Sequence, residues 1–110
     1  MMKDKKKSLK IMILGATGFI GSNLALYFSK KFKIKATYNL KIPFKNRNIK
    51  WFKCDLTNSQ QLNSLFENID IVINAAAITS GANDIINRPH IHVTENSVMN
   101  VNVLREIFLN

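Results

Sequence analysis

The stretch KIMILGATGFIG, residues 10–21, decides the fold of this chain. Residues 10–14 are a short apolar run, which predicts a buried strand, and three glycines then open a segment of helical period. A pyrophosphate needs main-chain N–H groups pointing at it and no side chains in its way, and a glycine turn at the amino end of a helix provides both. We predict a phosphate-binding loop rather than a ligand-free tight turn, and its residues are Gly15, Ala16, Thr17, Gly18, Phe19, Ile20 and Gly21.

Apolar runs of strand length recur along the chain and alternate with segments of helical period. They cover residues 10–14, 34–38, 50–54 and 70–74. Because this alternation is typical of βαβ units, we predict an α/β fold: a Rossmann-like parallel sheet of about four strands with flanking helices. Residues 39–48 contain Pro43 and several polar side chains, so they are predicted to be a loop in place of one crossover helix.

Three helices are predicted from the spacing of apolar side chains. The first follows the glycines and carries an apolar face at Ile20, Leu24, Tyr27 and Phe28. A short second helix is predicted where Thr57 and Gln60 have capping-box spacing, with an apolar stripe at Leu62, Leu65 and Phe66. The last runs from about residue 94 to the end and carries on one side Val98, Val101, Leu104 and Phe108.

The chain of 110 residues has a formal net charge of +9 and one cysteine, Cys54. Lysines cluster at its start, so we predict residues 1–9 to be a solvated basic tail and residues 10–110 to be one domain. A basic excess attracts anions in general, but no nucleic-acid-binding motif accompanies it.

No apolar run reaches the roughly 20 residues that span a bilayer. A single cysteine suits a reducing compartment. We expect a cytoplasmic protein without a nucleic-acid or membrane partner.

The glycine spacing resembles that of the short-chain dehydrogenase/reductase superfamily, and GATGFIG resembles its extended branch, the NAD-dependent epimerase/dehydratase family. Three further stretches carry the resemblance. Asp55-Leu56 resembles the pair that contacts the adenine ring, and the run Ala75, Ala76, Ala77 resembles the small-residue turn beside the cofactor. Asn96 resembles the helix asparagine that supports catalysis. Each also has a plain structural explanation: a cap for the next turn, close packing at a strand end, and an exposed helix position.

The segment after the alanines resembles GDP-fucose synthase-like sugar-nucleotide enzymes within this family. The resemblance lies in residues 78–88 and in the spacing of Pro89, Asn96 and Asn102. Those enzymes carry a Gly-Gly pair in the loop, where this chain has Ser80-Gly81. The resemblance implies a nucleotide-sugar substrate, a homodimer formed through helices that include the last one, and a substrate loop around Thr79, Ser80 and Gly81.

The end of the second predicted strand bears on the choice of cofactor. NAD-preferring sites place an Asp or Glu there, roughly 20 residues after the glycines, to bind the ribose 2′-hydroxyl. This chain has no carboxylate at Thr37-Tyr38-Asn39, and bases follow at Lys41, Lys45 and Arg47. We predict that the cofactor is NADP or NAD, with NADP preferred. The alternative is that the three bases form a solvated loop face.

The catalytic residues that the resemblance implies, a Ser or Thr and a Tyr-x-x-x-Lys pair, do not occur in the chain. Tyr27 and Lys31 have that spacing, but they fall on the first helix, where the family does not place its pair, and packing of Tyr27 on the apolar face explains it. We predict no metal site either, since His90 and His92 have no acidic cluster near them.

Two functions remain open at this point. The first is the cofactor-binding, N-terminal portion of a nucleotide-sugar epimerase, dehydratase or reductase, in which a hydride moves between the nicotinamide and a sugar carbon. The end at Asn110, inside an apolar helix without a C-cap signal, favours it. The second is a non-catalytic module that binds a cofactor or pairs with a partner through the edge of the fourth strand. We expect no turnover from residues 1–110 alone.

Overall fold

The computed structural model describes residues 9–62, 64–77, 87 and 90–109. The chain divides into two compact units: the first is Met1–Lys53 with Asn68–Ala75, and the second is Cys54–Glu67 with Ala76–Asn110. Residues 1–8 of the predicted tail lie outside the described residues, as do Pro89 and the predicted substrate-loop residues Thr79, Ser80 and Gly81. The division of the chain into a tail and one domain therefore stays a prediction.

The first unit is built on a parallel sheet of four strands. In chain order they are β1 (Ile11–Leu14), β2 (Ile34–Tyr38), β3 (Ile49–Lys53) and β4 (Ile71–Asn74). Their order across the sheet is β3-β2-β1-β4. The central strand β1 is buried along its whole length, as expected of a parallel strand with neighbours on both sides. The predicted Rossmann-like α/β sheet is confirmed, and each predicted strand lies within one residue of the observed one.

The helix α1 (Phe19–Ser29) packs on this sheet through a line of small residues. Gly21, Ala25 and Ser29 are buried at intervals of four residues, and Leu24 and Phe28 flank them against the core. The predicted apolar face is wrong in part, because Ile20 and Tyr27 are each 65% exposed. Successive side chains are rotated by about 100° around a helix axis, so the apolar residues of α1 cover more of its circumference than the line of small residues that contacts the sheet. The apolar side chains outside that line face solvent.

Residues 39–48 form no helix, as predicted, and Phe44 holds this loop to the sheet. The Trp51 indole donates a hydrogen bond to the Phe44 carbonyl oxygen at 2.9 Å. The two rings also meet edge to face, 5.1 Å apart. Both side chains pack against the core that includes Ile11, Ile34 and Ile49. Aromatic packing by the loop therefore covers part of the sheet where a crossover helix would otherwise lie.

The second unit begins with a tight turn rather than the predicted capped helix. A 3₁₀ segment covers Ser59–Leu62, and the Asn58 side-chain oxygen accepts the Gln60 N–H at 3.1 Å. The capping box at Thr57 and Gln60 is therefore wrong, because Asn58 supplies the cap. The predicted apolar stripe is nevertheless buried, at Leu62, Leu65 and Phe66.

The helix α2 (His90–Leu109) completes the second unit. Its buried side chains are Met99, Asn102, Val103 and Glu106. The predicted apolar side faces outward, since Val101 and Leu104 are 61% and 60% exposed and Phe108 is 91% exposed. We refer to Val101, Leu104 and Phe108 as the outer face of α2. Among the described residues, no helix combines the length and hydrophobicity that a bilayer crossing requires.

Candidate functional site

The glycine turn is attached to the end of β2 by two hydrogen bonds. The Gly15 N–H donates to the Thr37 hydroxyl at 3.0 Å, and the Ala16 N–H donates to the Thr37 carbonyl oxygen at 2.9 Å. Thr37 is only 1% exposed, so water does not compete for either acceptor. Gly15 itself has φ 73°, a left-handed conformation that favours glycine. The turn is therefore held at the carboxyl edge of the sheet.

The helix α1 starts against this turn, and Gly21 permits the close approach. A Cβ atom on Gly21 would overlap the Gly15 carbonyl oxygen and lie 2.9 Å from the Ala16 Cα. At Gly18 the nearest atom to such a Cβ is the same oxygen at 3.6 Å, an ordinary contact. The third glycine is thus required by packing of the helix on the turn.

The first turn of α1 offers main-chain donors to a ligand. Gly18 is the N-cap residue in an extended conformation, without a side-chain cap, and the first turn contains no acidic residue. The first intrahelical bond runs from the Ser22 N–H to the Gly18 carbonyl oxygen at 2.9 Å. Helix geometry leaves the preceding N–H groups, on residues 19–21, without intrahelical acceptors. Their partial positive charge suits an anion such as a phosphate.

The structure brings the end of β4 to the same edge. Asn74 pairs with Leu14, and the next residue, Ala75, donates its N–H to the Leu14 carbonyl oxygen at 3.0 Å. Ala75 therefore lies beside the start of the glycine turn, as the prediction required. Ala76 and Ala77 belong to the second unit, where Ala76 is half-buried and Ala77 is exposed.

In the second unit, the turn at Asp55-Leu56 has a structural role. The Asp55 carboxylate accepts the Thr57 N–H at 3.0 Å and the Thr57 hydroxyl at 2.7 Å. This confirms the capping explanation of Asp55. Leu56 is buried, and its carbonyl oxygen accepts the Asn102 side-chain amide of α2 at 3.0 Å. A contact of this pair with adenine stays a prediction.

Sequence reasoning missed two residues that position these turns, Thr37 and Asn102. Thr37 was noted only for lacking a carboxylate, and Asn102 only for its distance from Asn96. The signal that could have revealed them is a polar residue where the neighbouring residues are buried. Thr37 is such a residue at the end of a strand, and Asn102 is one on the buried side of α2. Asn96 is half-buried on α2, and its catalytic role stays a prediction.

Cys54 is a buried core residue. Burial, with a smaller effect of the Asp55 carboxylate, raises the pKa of the Cys54 thiol from 9.0 to about 11. The neutral thiol that results is a poor nucleophile and metal ligand. His90 is exposed at the start of α2, and the His92 side chain lies outside the described residues. In the part of the chain that is described, no three His, Cys, Asp or Glu residues converge on a metal position.

The family model for the NAD dependent epimerase/dehydratase family matches residues 11–109. The chain belongs to this family. The dTDP-D-glucose 4,6-dehydratase of Dictyostelium discoideum is 38% identical over an alignment 118 residues long, gaps included. The alignment covers 94% of this chain and 27% of that protein. The chain therefore spans about a quarter of that curated relative.

Solved structures share the fold. The epimerase Mth375 of Methanothermobacter thermautotrophicus is 24% identical, with a TM-score of 0.80 over 94% of this chain and 32% of that one. A variant of uronate dehydrogenase from Agrobacterium tumefaciens, complexed with NAD, is 14% identical, with a TM-score of 0.73 over 91% of this chain and 36% of that one. The chain thus shares its fold with about a third of each of these two proteins.

Proposed function

We propose that this chain is the cofactor-binding portion of an epimerase, dehydratase or reductase that acts on a nucleotide-linked sugar. The observation that carries the proposal is the uncapped first turn of α1 beside the glycine turn that Thr37 holds in place. Membership of the family and the similarity to a dTDP-D-glucose 4,6-dehydratase support it. They favour an enzyme over a non-catalytic binding module.

The residues present fit a dinucleotide. The N–H groups of residues 19–21 would hold the pyrophosphate, and the absence of side chains at Gly15 and Gly18 leaves the approach open. Ala75, small and beside the turn, would lie against the cofactor, with Ala76, Ala77, Asp55 and Leu56 as further proposed contacts. When bound, the nicotinamide supplies the hydride acceptor or donor. The contribution of this chain is to bind and orient it.

We propose that the preferred cofactor is NADP. Thr37 is 1% exposed, and its hydroxyl and carbonyl oxygens already accept hydrogen bonds from the glycine turn, so neither is presented to a ribose 2′-hydroxyl. Tyr38 is half-buried with its ring 6.2 Å from that of Trp51. The charged residues that follow, Lys41, Lys45 and Arg47, are exposed. A 2′-phosphate would meet positive charge and no carboxylate.

Calorimetric titration of the purified chain with NADP and with NAD tests both proposals. We expect NADP to bind more tightly. In the double variant Lys41→Gln/Arg47→Gln the affinity for NADP should fall by roughly tenfold, the equivalent of one lost charge-assisted contact of about 1.5 kcal/mol, while the affinity for NAD stays the same. Lys3→Gln/Lys10→Gln, which removes the same amount of charge ahead of β1, is the control and should change neither. Tighter binding of NAD would refute the preference, and binding of neither cofactor would refute the site.

The remaining proposals concern the longer enzyme. Asn96 would support its catalytic residues, which this chain does not supply, and a nucleotide sugar would be its substrate. We further propose a homodimer formed through α2, whose outer face is apolar and exposed, and a cytoplasmic location, to which a single thiol is suited.

A further inference from the structure

The positive charge of the chain is concentrated in one stretch. Nine of the sixteen basic residues lie between residues 30 and 53, and no Asp or Glu occurs there. The seven other bases are matched by the seven acidic residues of the chain, so the net charge of +9 resides in this stretch alone. We call residues 30–53 the basic segment; its charged residues are Lys30, Lys31, Lys33, Lys35, Lys41, Lys45, Arg47, Lys50 and Lys53.

The structure places this charge on the surface of the first unit. All of these side chains except the half-buried Lys35 are exposed. Lys35 and Lys50 are direct partners across β2 and β3, and their ammonium groups lie 5.7 and 5.6 Å from the centre of the Phe52 ring. Like charges opposite one another on neighbouring strands repel, and the contact of both ammonium groups with the ring face offsets this repulsion. The sheet therefore accommodates two positive charges side by side.

Protection of a sheet edge does not account for this pattern. Lysines on an edge strand prevent edge-to-edge aggregation, which explains Lys50 and Lys53 on β3. It does not explain the three lysines between α1 and β2, or the bases of the loop before β3. Edge protection also does not require the absence of acidic residues over the whole segment.

We propose that the basic segment captures the phosphorylated dinucleotide from solution and directs it to the glycine turn; this inference rests on the proposed function. The segment includes β2, whose last residues hold that turn. Since β2 has five residues, its far end lies only about 13 Å away, at roughly 3.3 Å per residue. This distance is comparable to the Debye length of about 8–10 Å at physiological ionic strength. A one-signed field of this kind raises the association rate of an anionic ligand by about 10- to 1,000-fold.

Electrostatic steering changes the association rate constant kon, whereas a direct contact in the complex changes the dissociation rate constant koff. Separate measurement of the two rate constants therefore tests the inference. Stopped-flow mixing of the purified chain with NADPH, followed through Trp51, the only tryptophan, gives kon and koff at ionic strengths from about 10 mM to about 500 mM. We expect kon to fall at least tenfold over this range, in line with a steered association, while koff changes little. In Lys33→Gln/Lys50→Gln, which removes charge near the amino ends of β2 and β3 and so away from the glycine turn, kon at low salt should fall several-fold with koff unchanged.

The control Lys3→Gln/Lys10→Gln removes the same charge outside the basic segment and should leave kon close to that of the unsubstituted chain. An equal fall of kon in the control would overturn the inference, because total charge would then act without regard to position. A kon that does not depend on salt would also overturn the steering inference. The proposed function would still stand in that case, because the chain would bind the dinucleotide. Absence of binding at every ionic strength would overturn both. Saturable binding of a single-stranded oligonucleotide at physiological salt, displaced by no dinucleotide, would assign the segment to nucleic acid instead.

Discussion

The three glycines of the turn are not equivalent. Gly15 needs a positive φ, and Gly21 needs the space that a side chain would fill, because the Gly15 carbonyl oxygen and the Ala16 Cα lie against it. Gly18 has an ordinary extended conformation and room for a methyl group. The motif therefore combines a conformational requirement at Gly15 with a packing requirement at Gly21.

Substitution of alanine at the two later glycines separates these requirements. Gly21→Ala forces the start of α1 away from the turn, and we expect it to lower the free energy of unfolding by about 1–3 kcal/mol, as overpacking does. Gly18→Ala, the matched control, should stay within about 0.5 kcal/mol of the unsubstituted chain. Urea denaturation followed by circular dichroism measures both. Equal effects of the two substitutions would show that α1 does not pack on the turn as described.

At the scale of elements, the strands were predictable and the faces of the helices were not. A buried parallel strand is a continuous apolar run, and both β1 and β4 are such runs, so both are visible in the sequence without knowledge of their neighbours. Only β1 is buried along its whole length, because β4 lies at the edge of the sheet and is partly exposed. Helical period also located α1 and α2. Which side of each helix is buried depends on the surface that it meets: α1 uses the small residues Gly21 and Ala25, and α2 buries the polar Asn102 while its outer face remains exposed.

The bond from Asn102 to the Leu56 carbonyl oxygen joins α2 to the turn after β3 and is buried. Loss of one partner leaves a buried acceptor unsatisfied, so Asn102→Ala should lower the free energy of unfolding by about 1–3 kcal/mol. Ser97→Ala, at an exposed position of the same helix and outside the outer face, is the control and should cost less than about 0.5 kcal/mol. Thermal and urea denaturation of both variants would decide; an Asn102→Ala chain as stable as the control would contradict this role.

Across the whole molecule, local sequence specified the glycine turn but not the residues that hold it. The donors and Gly21 lie within one stretch of the chain, so the motif alone located them. Thr37 lies 22 residues from Gly15, and Asn102 lies 46 residues from Leu56. Such pairs form only when the chain folds, and polar residues at strand ends and on helices are too common for their position in the sequence to reveal a partner.

The outer face of α2 also belongs to the scale of the whole molecule. Val101, Leu104 and Phe108 follow one another at helical spacing, and each is at least 60% exposed. Burial of such side chains stabilises an association by about 1.5–3 kcal/mol each. A second copy of the chain presents the same face, and a two-fold axis would allow the two faces to cover each other. This is the physical basis of the proposed homodimer.

Sedimentation equilibrium over a range of protein concentrations tests the dimer. We expect the unsubstituted chain to dimerise and Leu104→Glu to be a monomer, because a carboxylate buried in an apolar contact loses its hydration without gaining a partner. Ile42→Glu introduces the same charge at a side chain that is 91% exposed in the loop of the first unit, and it should leave the dimer intact. A Leu104→Glu chain that still dimerises would place the contact elsewhere, and an unsubstituted chain that remains monomeric at every concentration would refute the proposed homodimer.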